Sequence, residues 1–216
     1  MSEANTIAVR ARRVGVFAIL VVILGASAAA DDAPYDVARV EEDWELVIDQ
    51  PDTDKNGPQV TCTISPHALR SGYAAFDVNY HTQPNYYLGG LQLHAWSPLE
   101  PIVTRNFPAN DMLATPGETI TWTQTMSLND WRLKFQVING QSQTWGSFGG
   151  HEHSVTVWAW LWNLNGYSPE VTVANSGVSF ASNRVTSLTL KAVRWYDAAG
   201  ELIQESTTPR VVYPKQ

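Results

Sequence analysis

The sequence predicts an all-β protein, a two-sheet antiparallel sandwich of jelly-roll or lectin-like type with about ten strands. Three observations carry this. Apolar residues alternate with polar ones in many short windows, and no long stretch keeps a helical apolar period. Glycine and proline clusters at 51–58, 84–90, 98–101 and 108–117 punctuate those windows. The chain has 216 residues, 44% hydrophobic and 16% charged, which suits one sizeable core and argues against disorder.

Export is the first expectation along the chain. Arg10, Arg12 and Arg13 precede an apolar run at 14–24 and the small residues Ala28, Ala29 and Ala30, the order of a signal peptide over residues 1–30. A membrane helix needs roughly 20 apolar residues, so no membrane span is expected after cleavage. The destination is periplasmic, cell-surface or extracellular. Cleavage after Ala30 removes three Arg and one Glu and takes the net charge from -7 to -9. Such a chain lacks the basic surface that nucleic acid or anionic lipid requires. A single cysteine excludes a disulfide framework and a thiolate zinc cluster. Residues 31–54 hold ten acids against Arg39 alone, so 31–43 read as an acidic lead ahead of a first strand at 44–48. Residues 44–216 then form one sandwich domain.

The strands follow in order. Val60, Cys62 and Ile64 alternate with Gln59, Thr61 and Thr63, which makes Cys62 a buried, quiet thiol. Ala74, Phe76, Val78 and Tyr80 form the next strand, and Leu91, Leu93 and Ala95 alternate with Gln92, His94 and Trp96 in the one after. Asn139-Gly140 is the best hairpin signal, because a type I′ turn needs positive φ at both central residues. A two-residue loop there sets Lys134 opposite Trp145 and Gln136 opposite Gln143. Asn129-Asp130 as the preceding turn pairs Leu128, Met126, Gln124 and Trp122 with Trp131, Leu133, Phe135 and Val137. Both turns give one apolar face and one face of Thr, Gln, Lys and Arg. Val171 and Val173, Val178 and Phe180, residues 185–196 and a return at Leu202 complete the strands, with a turn at 197–200.

The candidate binding residues lie on the polar face. Trp145 is its aromatic exception, among Lys134, Gln136 and Gln143. In 154–162, Val155, Val157, Ala159 and Leu161 alternate with Trp158, Trp160 and Trp162. An even loop after Phe148 puts those three tryptophans outward beside Trp145, spaced about 7 Å apart, a strip on which flat sugar rings could stack. An odd loop puts them in the core, which is the commoner place for three tryptophans of a two-layer protein.

Catalytic signals are sparse. His151-Glu152-His153 has strand spacing for two imidazole ligands, without a third ligand legible in the sequence, and no metal or cofactor is expected. No Gly-x-Ser-x-Gly elbow is present. Glycoside hydrolysis needs two convergent carboxylates, which lectin-like hydrolases carry as Glu-x-Asp-x-Glu on one strand face; no such run follows residue 55.

Gln92-Leu93-His94 resembles the Gln-x-His strand motif of jelly-roll alginate lyases. That resemblance implies Gln92 and His94 as an alternative site that positions a uronate, although the Arg-x-Glu-x-Arg strand of that family is absent. The stretches 40–46, 58–62 and 89–93 resemble a group of exported bacterial β-sandwich proteins, which implies export and a sandwich but no function. The expectation is an exported, non-catalytic binding or structural protein whose partner is a glycan or cell-surface polymer. The alternative is a polysaccharide-degrading lyase or glycosidase. Nothing in the sequence sets an oligomeric state.

Overall fold

In the computed structural model, which describes residues 36–50, 58–67, 71–80, 90–107, 113, 115–180 and 182–214, the strands form two antiparallel sheets. The larger contains β1 (Arg39–Ile48), β6 (Thr119–Asn129), β7 (Arg132–Ser142), β8 (Gly146–Phe148), β9 (Ser154–Trp158), β11 (Val185–Tyr196), β12 (Leu202–Ser206) and β13 (Arg210–Tyr213). Its order is β12-β11-β1-β6-β7-β8, with β9 also on β7 and β13 also on β11. The smaller is a meander of β2 (Gln59–Ile64), β3 (Tyr73–Tyr80), β4 (Gly90–Ser97) and β5 (Glu100–Phe107), with β10 (Gly177–Phe180) on β2. This is the antiparallel sandwich that the alternation predicts. One short helix, α1 (Pro169–Asn175), replaces the strand expected around Val171 and Val173. Pro169 suits a helix start, where its missing N–H costs no hydrogen bond. Among the described residues no helix is long and apolar enough to cross a membrane.

β1 corrects the reading of the 31–43 lead at residues 39–43, which are strand; residues 31–35 lie outside the described residues. The strand begins at Arg39, and every second residue from Val40 to Ile48 is buried between the sheets. Three of its four acids face the other way. Glu41, Asp43 and Glu45 line the outer face, where Tyr196 donates to Glu41 at 2.9 Å, Arg194 and Thr123 bind Asp43, and Lys191 reaches Glu45 at 3.0 Å. Cross-strand partners of this kind offset the poor strand preference of acids.

The meander keeps its expected faces but not its register. The turn is Asp130-Trp131, both at positive φ, so Leu128 pairs with Leu133 and Met126 with Phe135, two residues away from the expected pairing. A shift of two leaves every side chain on its face. Asn139-Gly140 is no turn. β7 runs through it as a bulge opposite Trp122, and the chain reverses at 143–145. Glu118 holds that reversal, accepting from the backbone N–H of Gln143 at 2.7 Å and Thr144 at 3.0 Å and from the hydroxyls of Ser142 and Thr144. Gly140 serves packing instead: a Cβ there would stand 2.3 Å from the Phe148 ring.

Two indoles centre the core. Trp44 and Trp122, paired across β1 and β6, stack at 6.2 Å and 6°, and Phe76 of the other sheet meets Trp122 edge-on at 5.7 Å. Cys62 is fully buried, as the alternation of β2 requires, and burial pushes its thiol pKa well up. Gln124 links the layers by donating to the Cys62 carbonyl at 3.1 Å.

Glu42 is the inward exception of β1. It accepts from Tyr167 at 2.6 Å, Thr172 at 2.7 Å and Trp44 Nε1 at 3.1 Å, yet burial outweighs these donors and raises its pKa from 4.5 to about 7. The folded state therefore holds this proton more tightly than the unfolded chain. The stability contributed is complete below about pH 4.5 and is lost as pH rises through about 7. Denaturant titrations across that window should show wild type losing roughly 3 kcal/mol relative to Glu42→Gln. Parallel pH profiles for the two proteins would contradict the burial of an ionisable Glu42.

Candidate functional site

The end of the sandwich at the β6–β7 turn carries four exposed tryptophans. Trp131 sits in that turn, Trp158 ends β9, and Trp160 and Trp162 follow it. They are 37%, 42%, 80% and 84% exposed, so the core alternative is not realised; the even loop is not realised either, because β9 pairs with β7 instead of forming a hairpin with β8, and the exposed tryptophans do not stand beside Trp145. Val155, Val157 and Ala159, in the other phase, are the buried residues.

Local structure holds this corner on the scaffold. Ser97 donates to the Trp158 carbonyl at 2.6 Å, and Glu100 accepts from its N–H, so the β4–β5 turn grips both backbone groups. The Arg132 guanidinium lies over the Trp158 ring, 3.8 Å from its centroid. The following segment is tethered at both ends: Ala159 N–H donates to Trp131 at 2.9 Å and Leu164 N–H to Val37 at 2.7 Å. Trp131 and Trp162 meet edge-to-face at 4.3 Å. The indoles thus stand outward on ordered backbone.

Of the polar-face residues, Lys134 and Gln136 point outward on β7, opposite Thr156 and Ser154 of β9 and one step along from Arg132 and Trp158. Trp145 and Gln143 are not with them. Both fall in the 143–145 reversal, roughly 25 Å along the strand from Lys134 at about 3.3 Å per residue. Trp145 is half-buried and packs on the core. The misplaced hairpin explains the expected pairing of Lys134 with Trp145, since Glu118 and the Phe148 ring, rather than Asn139-Gly140, decide where the chain turns. Trp131 was expected on the apolar face, and a turn moved by one residue exposes it; Arg132 was expected on the polar face but not as a site residue.

A second feature of the same outer face was also missed. Glu41, Asp43 and Glu45 read as Glu-x-Asp-x-Glu, hidden in the stretch taken as a lead. With Thr121, Thr123, Asn139, Lys191 and Arg194 they line a groove of about 380 Å³. Arg194 is gripped by Asp43 and by Glu205 at 2.9 Å, pushing its pKa further up.

Gln92 and His94 do share the outer face of β4 in the smaller sheet. Asp77 lies between them, 3.5 Å from His94 Nδ1, and accepts from Thr61, while Gln92 is buried and donates to Asn106 at 2.6 Å. The arrangement is a satisfied polar row. Arg105 is opposite Leu93 and so belongs to the other side of the sheet. His151 and His153 diverge: His151 is exposed, whereas His153 is buried flat on Phe107 at 3.6 Å, which pushes its pKa down. No group of three potential metal ligands exists among the described residues.

No protein-family model and no curated protein matches the chain. Among solved structures it is similar to Scytalido-glutamic peptidase with a peptide-based transition state analog, at 12% identity and a TM-score of 0.35 over 82% of this chain and 83% of that one. It is also similar to SCP-B, a member of the Eqolisin family of peptidases in complex with the tripeptide Ala-Ile-His, at 12% identity and a TM-score of 0.30 over 82% of each chain.

Burial separates the tryptophans energetically. Trp160→Ala and Trp162→Ala should shift unfolding free energy by no more than about 0.5 kcal/mol, and Trp145→Ala should cost roughly 1 to 3 kcal/mol. Equal losses at Trp145 and Trp162 in denaturant titrations would contradict this assignment of exposure.

Proposed function

We propose that the chain is an exported, non-catalytic β-sandwich protein that binds a glycan or cell-surface polymer through its tryptophan corner. The observation that carries this is the exposure of Trp160 and Trp162, at 80% and 84%, beside Trp131 and Trp158. Water-exposed indoles are an association hazard unless a ligand uses them, and their flat faces suit sugar rings. The scaffold contributes order, so little conformational freedom is lost on binding. The basic, apolar and small-residue sequence of residues 10–30 supports export. The test is retention on a panel of insoluble polysaccharides and isolated cell walls. Wild type should be retained, and a Trp160→Ala, Trp162→Ala double variant with unchanged thermal stability should lose at least about tenfold in affinity, since each stacked ring contributes on the order of 1 kcal/mol. Equal retention of both proteins would remove the corner from the binding surface.

A second reading, polysaccharide degradation, is favoured by Glu41, Asp43 and Glu45 standing in one groove. Alternate residues on a strand face lie about 7 Å apart, within the span over which carboxylate pairs act on glycosides. Their ion pairs with Lys191 and Arg194 favour a structural role instead. Reducing-end assays on any retained polymer should give no release from wild type. Release that disappears in Asp43→Asn would establish the degrading enzyme in place of the non-catalytic binder.

A further inference from the structure

The basic side chains of the described residues divide into two groups. Most are engaged: Arg39 faces Glu41 at 3.5 Å, Lys191 binds Glu45, Arg194 binds Asp43 and Glu205, Arg210 binds Glu170 at 2.9 Å, and Arg184 reaches the Gln50 carbonyl at 3.4 Å. Arg105, Arg132 and Lys134 form no ion pair with any described carboxylate. All three stand on the strands that flank β9: Arg132 and Lys134 on β7, which pairs with it, and Arg105 on β5, which packs along it. In a protein with a net charge of -7, Arg132 and Lys134 stand beside the tryptophan corner with no described acid paired to them, whereas Arg105 lies farther along β5, toward Phe107 and His153 at the other end of β9.

We propose that the polymer held at the tryptophan corner is a polyuronate, a glycan with repeated carboxylates, and that Arg132 and Lys134 are its anion contacts. The inference rests on the reading of the corner as a glycan site and names the ligand class of that site. Arg132 is prepared for this role. Its guanidinium carbon lies over the Trp158 ring, 3.8 Å from the centroid, so the group is held at the corner, and a guanidinium can receive a planar carboxylate in a two-bond fork. Lys134, two residues along the same face, places a second positive charge about 7 Å away. Three acids stand near the corner: Glu100 accepts from the Trp158 N–H, Asp36 accepts from Asn163 at 3.0 Å, and Asp130 sits in the exposed turn, and none of them forms an ion pair with Arg132 or Lys134. The acids of β1 lie two strands from β7, about 10 Å, a separation over which physiological salt screens repulsion between exposed charges.

The experiment compares dissociation constants of the whole mature chain for a soluble polyuronate, for its carboxyl-reduced neutral counterpart and for a sulfated glycan. Wild type should bind the polyuronate at least about tenfold more tightly than the reduced polymer, with affinity falling as salt rises. Lys134→Gln should remove most of that preference, and Arg184→Gln, which deletes a charge far from the corner, should keep it. Both variants should retain the wild-type melting temperature. Equal affinity for the polyuronate and the reduced polymer, with binding still lost in the Trp160→Ala, Trp162→Ala protein, would overturn the polyuronate assignment and leave the glycan site standing. Tight binding to the sulfated glycan alone would also overturn it. Undiminished binding of every polymer by the double tryptophan variant would overturn the site as well.

Discussion

The stack of Trp44 on Trp122 is the contact around which the rest of the structure is arranged. The two indoles pair across the central strands of the larger sheet and meet Phe76 of the smaller one. At β9 the hydroxyl of Ser97 in the smaller sheet reaches the Trp158 carbonyl, so the inward residues there are Val155, Val157 and Ala159. Strand alternation leaves the opposite phase no choice. Once those smaller side chains face the core, Trp158 must face water, and the tethered segment after it carries Trp160 and Trp162 outward too.

The polar outer face obeys a second constraint, local charge balance. A row crosses five strands of the larger sheet from Gln136 through Thr125, Glu41 and Arg194 to Glu205. Asp43 shares Arg194, and Glu45 is met by Lys191. Exposed pairs of this kind contribute little each, but together they let an acid-rich segment serve as the central strand. Among the described residues of this face the balance fails beside β9, where Arg132 and Lys134 have no acid and the tryptophans have no cover. Structure without an internal use, gathered in one place on a rigid support, is the pattern expected of a surface meant for something else.

Much of this was legible in the sequence, and the exceptions have physical causes. The alternation of 59–64, 74–78 and 91–95 put Val60, Cys62, Ile64, Ala74, Phe76, Val78, Leu91, Leu93 and Ala95 in the core, where they lie, but much of the opposite phase, Gln59, Thr63, Ala75, Asp77, Asn79 and Gln92, is buried as well. The faces of β6 and β7 were legible although their register was not, since a slip of two preserves the face. Asn139-Gly140 misled because the same residues that favour a type I′ turn also fit a bulge beneath an aromatic ring. Residues 39–43 were hidden because composition speaks for solvent, while the partners that make those acids a strand come from β6 and β11, more than 75 positions downstream. The direction of the tryptophans depended on which residues around Gly149 and Gly150 form the loop, and tertiary contacts decide that. The pairing of Gln136 with Ser154 is set by the whole sheet.

Hydroxyl-radical footprinting with and without a polymer that retains the protein tests whether the tryptophan corner meets the ligand. Trp131, Trp158, Trp160 and Trp162 should be protected together, with Trp96 and Trp145 unchanged. Bound polymer that leaves Trp160 and Trp162 as reactive as before, or that protects the Gln92 and His94 face instead, would contradict it.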